Sequence, residues 1–104
     1  MLVNRRTFIV KKSYFDEALA LLIEVRQLAR LVDSSVTVRV YASEIGAFDT
    51  VAYEFESESL AAYEQAWAEF EANPTIAGRL KDWSKRWDEV TETGGMNEIW
   101  RLIE

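Results

Sequence analysis

Histidine and cysteine are both absent from the sequence. Their absence removes thiol nucleophiles, disulfides, zinc-finger or iron–sulfur ligation, a Ser-His-Asp triad and a histidine ligand for haem. Positive charge is also scarce: 12 Lys and Arg stand against 18 Asp and Glu, a net charge of −6. A nucleic-acid binder normally presents a basic face, so no nucleic-acid partner is expected. Long hydrophobic runs are missing as well. After Arg5-Arg6 only Thr7 to Val10 intervene before Lys11-Lys12, too short a core for a signal peptide. The longest apolar window, Ala18 to Ile23, is far short of a bilayer span. The expectation is a soluble, cytoplasmic protein with no membrane partner.

What is present describes a folding chain. With 104 residues, 49% hydrophobic and 29% charged, residues 1–104 read as one globular domain. Asn4 to Lys12 has a strand-forming centre at Thr7, Phe8, Ile9 and Val10. Ser13 stands where a helix cap belongs, and from Phe15 to Val32 apolar residues recur with helical period. Asp33 to Ser35 reads as a loop, and Val36 to Ala42 alternates as a strand. A turn around Gly46 leads to a return strand over Thr50 to Glu56, so the two runs form a hairpin. Ser57 and Ser59 are alternative caps for a second helix carrying Leu60, Tyr63, Trp67 and Phe70 on one face. Asn73-Pro74 breaks it, because the residue before proline resists helical geometry. A third helix from about Thr75 carries Leu80, Trp83, Trp87 and Val90, and Met96 to Ile103 forms a last strand after Gly94-Gly95. The order β-α-β-β-α-α-β predicts an α+β, ferredoxin-like sandwich: a four-stranded antiparallel sheet with helices on one face.

Three helices cover one face of such a sheet, yet apolar residues occupy both. Val36, Val38 and Val40 oppose Thr37, Arg39 and Tyr41; Val51, Tyr53 and Phe55 oppose Thr50, Ala52 and Glu54. Ile9 and Trp100 add to the imbalance in the outer sequence strands. A second copy of the chain is the economical cover for the open face, so a homodimer is expected.

The element order, with Tyr53-Glu54-Phe55-Glu56-Ser57-Glu58-Ser59-Leu60 and then Tyr63-Glu64-Gln65-Ala66-Trp67, resembles the NIPSNAP-like branch of the dimeric α+β barrel superfamily. The resemblance covers nearly the whole chain through short, mainly structural motifs. It implies homodimers whose sheets face each other as a barrel. The superfamily includes cofactor-independent oxygenases of aromatic polyketides, haem-degrading enzymes, muconolactone isomerases and many proteins without assigned activity. The haem-degrading members rely on a histidine, and this chain has none.

Six residues stand out as a candidate pocket: Arg39, Tyr41, Tyr53, Glu54, Trp83 and Trp87. The two tryptophans, four residues apart, share a helix face and offer a wall for a flat apolar ligand, or else are core. Asp82 and Arg86 beside them read as a surface ion pair. A strand arginine stabilises a carboxylate or enolate, and a tyrosine donates or orients. The competing account pairs Arg39 or Arg101 with Glu54 or Glu98 across the sheet or the dimer interface. Glu54, an acid within a half-buried strand, has a raised pKa where it is desolvated, as a general base needs, or else lies on an exposed edge or meets an arginine. No residue pattern calls for a metal or cofactor: Glu64, Glu69 and Glu71, or Asp88, Glu89 and Glu92, read as solvated helix faces. Two functions follow: a homodimeric binder of a small apolar or aromatic molecule, or a cofactor-independent oxygenase, isomerase or cyclase acting on an activated aromatic or enolisable substrate.

Overall fold

Strand alternation and helical periodicity resolve into seven elements in a computed structural model that describes residues 1–33 and 36–103. They are β1 (Leu2–Ile9), α1 (Phe15–Val32), β2 (Thr37–Ala42), β3 (Thr50–Ser57), α2 (Leu60–Ala72), α3 (Pro74–Val90) and β4 (Met96–Arg101). All strand neighbours are antiparallel, in the spatial order β2-β3-β1-β4. This is the ferredoxin-like sandwich. The loop expected at residues 33–35 falls partly on residues 34 and 35, outside the described residues.

β1 begins two residues earlier than its sequence signal, because Leu2 pairs with both Ser57 and Arg101. It ends at Ile9, and Val10 makes only an isolated bridge to Thr91. Ser13 is not the cap of α1: its φ is +75°, a left-handed turn conformation, and Tyr14 precedes the helix without a side-chain cap. Of the two serines before α2, Ser59 is the cap, its hydroxyl accepting from the Ala62 N–H at 3.1 Å. Asn73 both stops α2 and starts α3. Its Oδ1 accepts from the backbone N–H of Thr75 and of Ile76, each at 3.1 Å, while Pro74 takes the first helical position, where no N–H is needed. Gly95 lets the chain pass against β1, since a Cβ there would run into the Thr7 carbonyl oxygen.

The alternation of each strand sorts residues between two unlike faces. Asn4, Arg6, Phe8, Val38, Val40, Val51, Tyr53 and Phe55 point to the helices; Val3, Arg5, Thr7, Ile9, Arg39, Tyr41, Glu54, Glu56 and Trp100 lie on the open face. One core gathers Leu21 and Leu22 of α1, Trp83, Trp87 and Val90 of α3, and Val51 of β3. A second joins Val38, Phe55 and Phe70 beneath α2, and Tyr53 packs against both. α2 is the loosest helix, with Phe70 as its one buried residue, whereas α1 and α3 bury four each.

Because one side chain caps α3 with two bonds, Asn73→Ala is expected to cost about 1 kcal/mol. In a domain of this size that lowers Tm by roughly 4–8 °C in a thermal denaturation scan. An unchanged Tm contradicts the capping role.

Candidate functional site

The sheet separates the six candidate residues. Arg39, Tyr41 and Glu54 lie together on the open face, Tyr53 turns to the helices, and Trp83 and Trp87 are core. The tryptophan rings stack at 5.1 Å with an interplanar angle of 16°, and Trp87 meets Phe8 edge-on at 4.9 Å. Trp83 Nε1 donates to the Leu21 carbonyl at 2.6 Å, which ties α3 to α1. The pair is therefore a packing joint. Arg86 does not turn to Asp82; it reaches Glu24 of α1 at 2.7 Å, because the two helices lie side by side.

On the open face Glu54 is the hub. Register sets Arg5 and Arg39 directly opposite it on either side. Arg5 Nε donates to Glu54 Oε2 and the Tyr41 hydroxyl to Oε1, each at 2.7 Å. Arg39 leans diagonally to pair with Glu56. Arg101 cannot meet Glu98, since the two occupy opposite faces of β4. Burial pushes the Glu54 carboxyl upward, as expected, but the Tyr41 hydroxyl and Arg5 outweigh it and hold the pKa below its ordinary value. Glu54 is thus a fixed carboxylate and a poor base. The Tyr41 phenol is shifted up, first by its bond to Glu54 and then by burial.

Beneath the helices a different group assembles around Asn4 and Arg6, two residues that no motif singles out. Asn4, 1% exposed, donates through Nδ2 to Asn97 Oδ1 at 2.6 Å and to the Glu98 carbonyl at 2.9 Å. Its Oδ1 accepts from the Tyr63 hydroxyl at 3.1 Å. Next along β1, the Arg6 guanidinium lies 5.3 Å from the centre of the Trp67 ring. Beside it a cavity of about 40 Å³ opens between β2, β3 and all three helices, walled by Leu28, Tyr53, Phe55, Trp67, Phe70 and Leu80 among others. Burial raises the pKa of the Tyr53 phenol against the pull of Arg6, so the phenol stays protonated at neutral pH. The signal for this group lay in strand parity. Carrying the Phe8 and Val10 face back along β1 places Asn4 and Arg6 inside, and Tyr63 and Trp67 stand four apart on α2.

Among the described residues no group of three or more metal-ligating side chains forms, and no helix is long and apolar enough to cross a membrane.

No family model matches the sequence, and no curated protein is similar enough in sequence to count as a relative. Solved structures do resemble it. A NIPSNAP domain protein from Burkholderia xenovorans superposes with a TM-score of 0.77 at 13% identity, covering 99% of this chain and 95% of its own. A NIPSNAP family protein from Agrobacterium tumefaciens gives 0.77 at 14% identity, covering 99% and 86%. SnoaB, a cofactor-independent oxygenase from Streptomyces nogalater, gives 0.69 at 9% identity, covering 99% and 93%. Such identities establish the fold alone. The chain has the ferredoxin-like α+β fold seen in these NIPSNAP proteins and in the oxygenase.

The Glu54 hub has a pH signature. Its depressed pKa stabilises the folded state fully above the ordinary glutamate value of 4.5, and that contribution is lost as pH falls through the lower, folded value. Glu54→Gln removes it. The Tm gap between wild type and Glu54→Gln is expected to be constant above about pH 5.5 and to shrink below 4.5. A gap that widens in acid contradicts the assignment.

Proposed function

We propose that residues 1–104 act as one domain of a NIPSNAP-like homodimer that takes a small apolar or aromatic molecule into the cavity between sheet and helices. The observation that carries the binding reading is the cavity itself, an apolar space with aromatic walls between sheet and helices. At about 40 Å³ it is smaller than the ~150 Å³ that accommodates benzene in a rigid core. An aromatic guest therefore requires its wall to move, and α2, anchored by Phe70, is the wall that moves most easily. The cavity holds only uncharged side chains on its walls, so the reading calls for no metal or cofactor.

The homodimer rests on the open face. Met96, Trp100 and Leu102 are each more than half exposed there, and Ile9 joins them, a patch of the kind that signals association. Most of the charged groups between them do not oppose a facing copy: Arg5, Arg39, Glu54 and Glu56 are already paired within the sheet, and Glu98, across from Arg5, is the carboxylate that a facing copy would have to accommodate.

A second reading, a cofactor-independent oxygenase, isomerase or cyclase, is favoured by one feature: Tyr53 presents a protonated phenol on the cavity wall beside a guanidinium. Arg39, Tyr41 and Glu54 are not among the residues walling that cavity. An activity confined to them would have to be completed by the partner across the open face.

For assembly, native mass spectrometry is expected to show a dimer for the wild type and a monomer for Trp100→Glu; a wild-type monomer at micromolar concentration would refute the dimer. For binding, toluene is expected to shift the methyl NMR signals of Leu28 and Leu80 before any others. Signals that stay put while surface methyls move would remove the cavity reading.

A further inference from the structure

Arg6 and Trp67 hold two donors that the protein leaves unused. Arg6 Nε and Trp67 Nε1 are both buried without an acceptor, and the two side chains are in contact, guanidinium over ring. Buried donors are almost always satisfied, so an adjacent unsatisfied pair marks a place that something else completes. Among the described residues three other buried polar atoms lack a partner, Arg26 Nε, Ser57 Oγ and Trp87 Nε1, and they are not paired as a cation over a ring. The ion pairs of the structure engage Arg5, Arg39 and Arg86 and pass over Arg6. Nor does its own face supply a carboxylate: its β1 neighbours there are Asn4 and Phe8, and the residues paired with it are Tyr53 and Asn97. The acids of α2, Glu64, Glu69 and Glu71, are exposed. In an acidic protein this is a positive spot, its Nε shielded from water, at the edge of an apolar cavity, since Tyr53 and Trp67 line that cavity.

We propose that Arg6 and Trp67 form the head-group subsite of the cavity ligand, and that this ligand is an apolar monocarboxylate. One carboxylate oxygen accepts from Arg6 Nε and the other from Trp67 Nε1, while the carbon body lies between Tyr53, Phe55, Phe70 and Leu80. A single cation matches a single negative charge; a phosphate dianion would be left undercompensated, with too few donors for its oxygens. A neutral head would satisfy the donors and leave the guanidinium charge without a partner. The proposal rests on the cavity reading above and adds the charge of the ligand to it.

The test is a methyl and indole NMR titration of the full chain with hexanoate and with hexan-1-ol, which share a carbon chain and differ in the head. Wild type is expected to bind hexanoate about tenfold or more tightly than hexan-1-ol, because a charge-assisted bond replaces a neutral one. Arg6→Met is expected to abolish that preference and to leave hexan-1-ol within about twofold of its wild-type affinity. Trp67→Phe keeps an aromatic ring, loses the N–H, and is expected to weaken hexanoate several-fold. Should Arg6→Met fail to fold, Arg6→Lys retains charge without Nε and is expected to reduce the preference. Equal binding of the two probes, or a preference untouched in the Arg6 variants, overturns the carboxylate subsite while the cavity reading stands. If neither probe, nor toluene, reaches Leu28 and Leu80, both fall together.

Discussion

Asn4 sits on β1, one of the sheet's two central strands, with its side chain sealed from water. Burying an amide is tolerable only when its hydrogen bonds are made, and here they run to three separate places: the side chain of Asn97, the backbone of Glu98 and the hydroxyl of Tyr63. That requirement fixes the parity of β1. With Asn4 inward, Arg6, Phe8 and Val10 are inward as well, and Arg5, Thr7 and Ile9 are outward. A slip of one residue would strand an amide and a guanidinium on the wrong side and drive Phe8 into the open. The two unlike faces of the sheet, one holding the cavity and the other the Glu54 hub, follow from this one constraint.

The same parity explains why two arginines adjacent in sequence have unrelated surroundings. Arg5 meets a carboxylate and is consumed in an ion pair; Arg6 meets an aromatic face and keeps an unused donor. Paired charges on a sheet face are structural, whereas a cation lodged against a ring at a cavity edge still has binding capacity. The aromatic residues divide in the same manner. Trp83 and Trp87 spend their surfaces on each other and on Phe8, a stack worth about 0.5–1.5 kcal/mol beyond the area it buries. Trp67 makes edge contacts with Tyr63 and Phe70 at the cavity wall, and its N–H, like that of Trp87, has no acceptor.

The order and type of the elements are legible in the sequence because period, caps and breakers agree: Phe15 to Val32 as a helix, Ser59 as a cap, Asn73-Pro74 as a boundary. The site is less legible, for a physical reason. Periodicity says which residues share a face, but not which charges meet across strands. Arg39 pairs with Glu56 and not with Glu54, which stands directly opposite, because Arg5 and Tyr41 already occupy that carboxylate. The raised pKa expected of a half-buried acid fails for the same reason, as two donors outweigh desolvation. The seven acids from Asp49 to Glu71 have different surroundings. Alternation sends Glu54 and Glu56 to the arginines of the open face, while Glu64, Glu69 and Glu71 remain in solvent on α2.

β1 and β4 close the sheet from opposite ends of the sequence: Leu2 pairs with Arg101, and the Leu102 N–H reaches the Met1 carbonyl at 2.9 Å. The partners of the Asn4 amide group, Asn97 and Glu98, are therefore synthesised 93 and 94 residues after it. A ribosome-bound chain can assemble the β2–β3 hairpin and α1 early, but Asn4 must wait with its donors in water. The inward strand that orders both faces is committed only when β4 arrives, which makes β4 a gate on the fold as a whole.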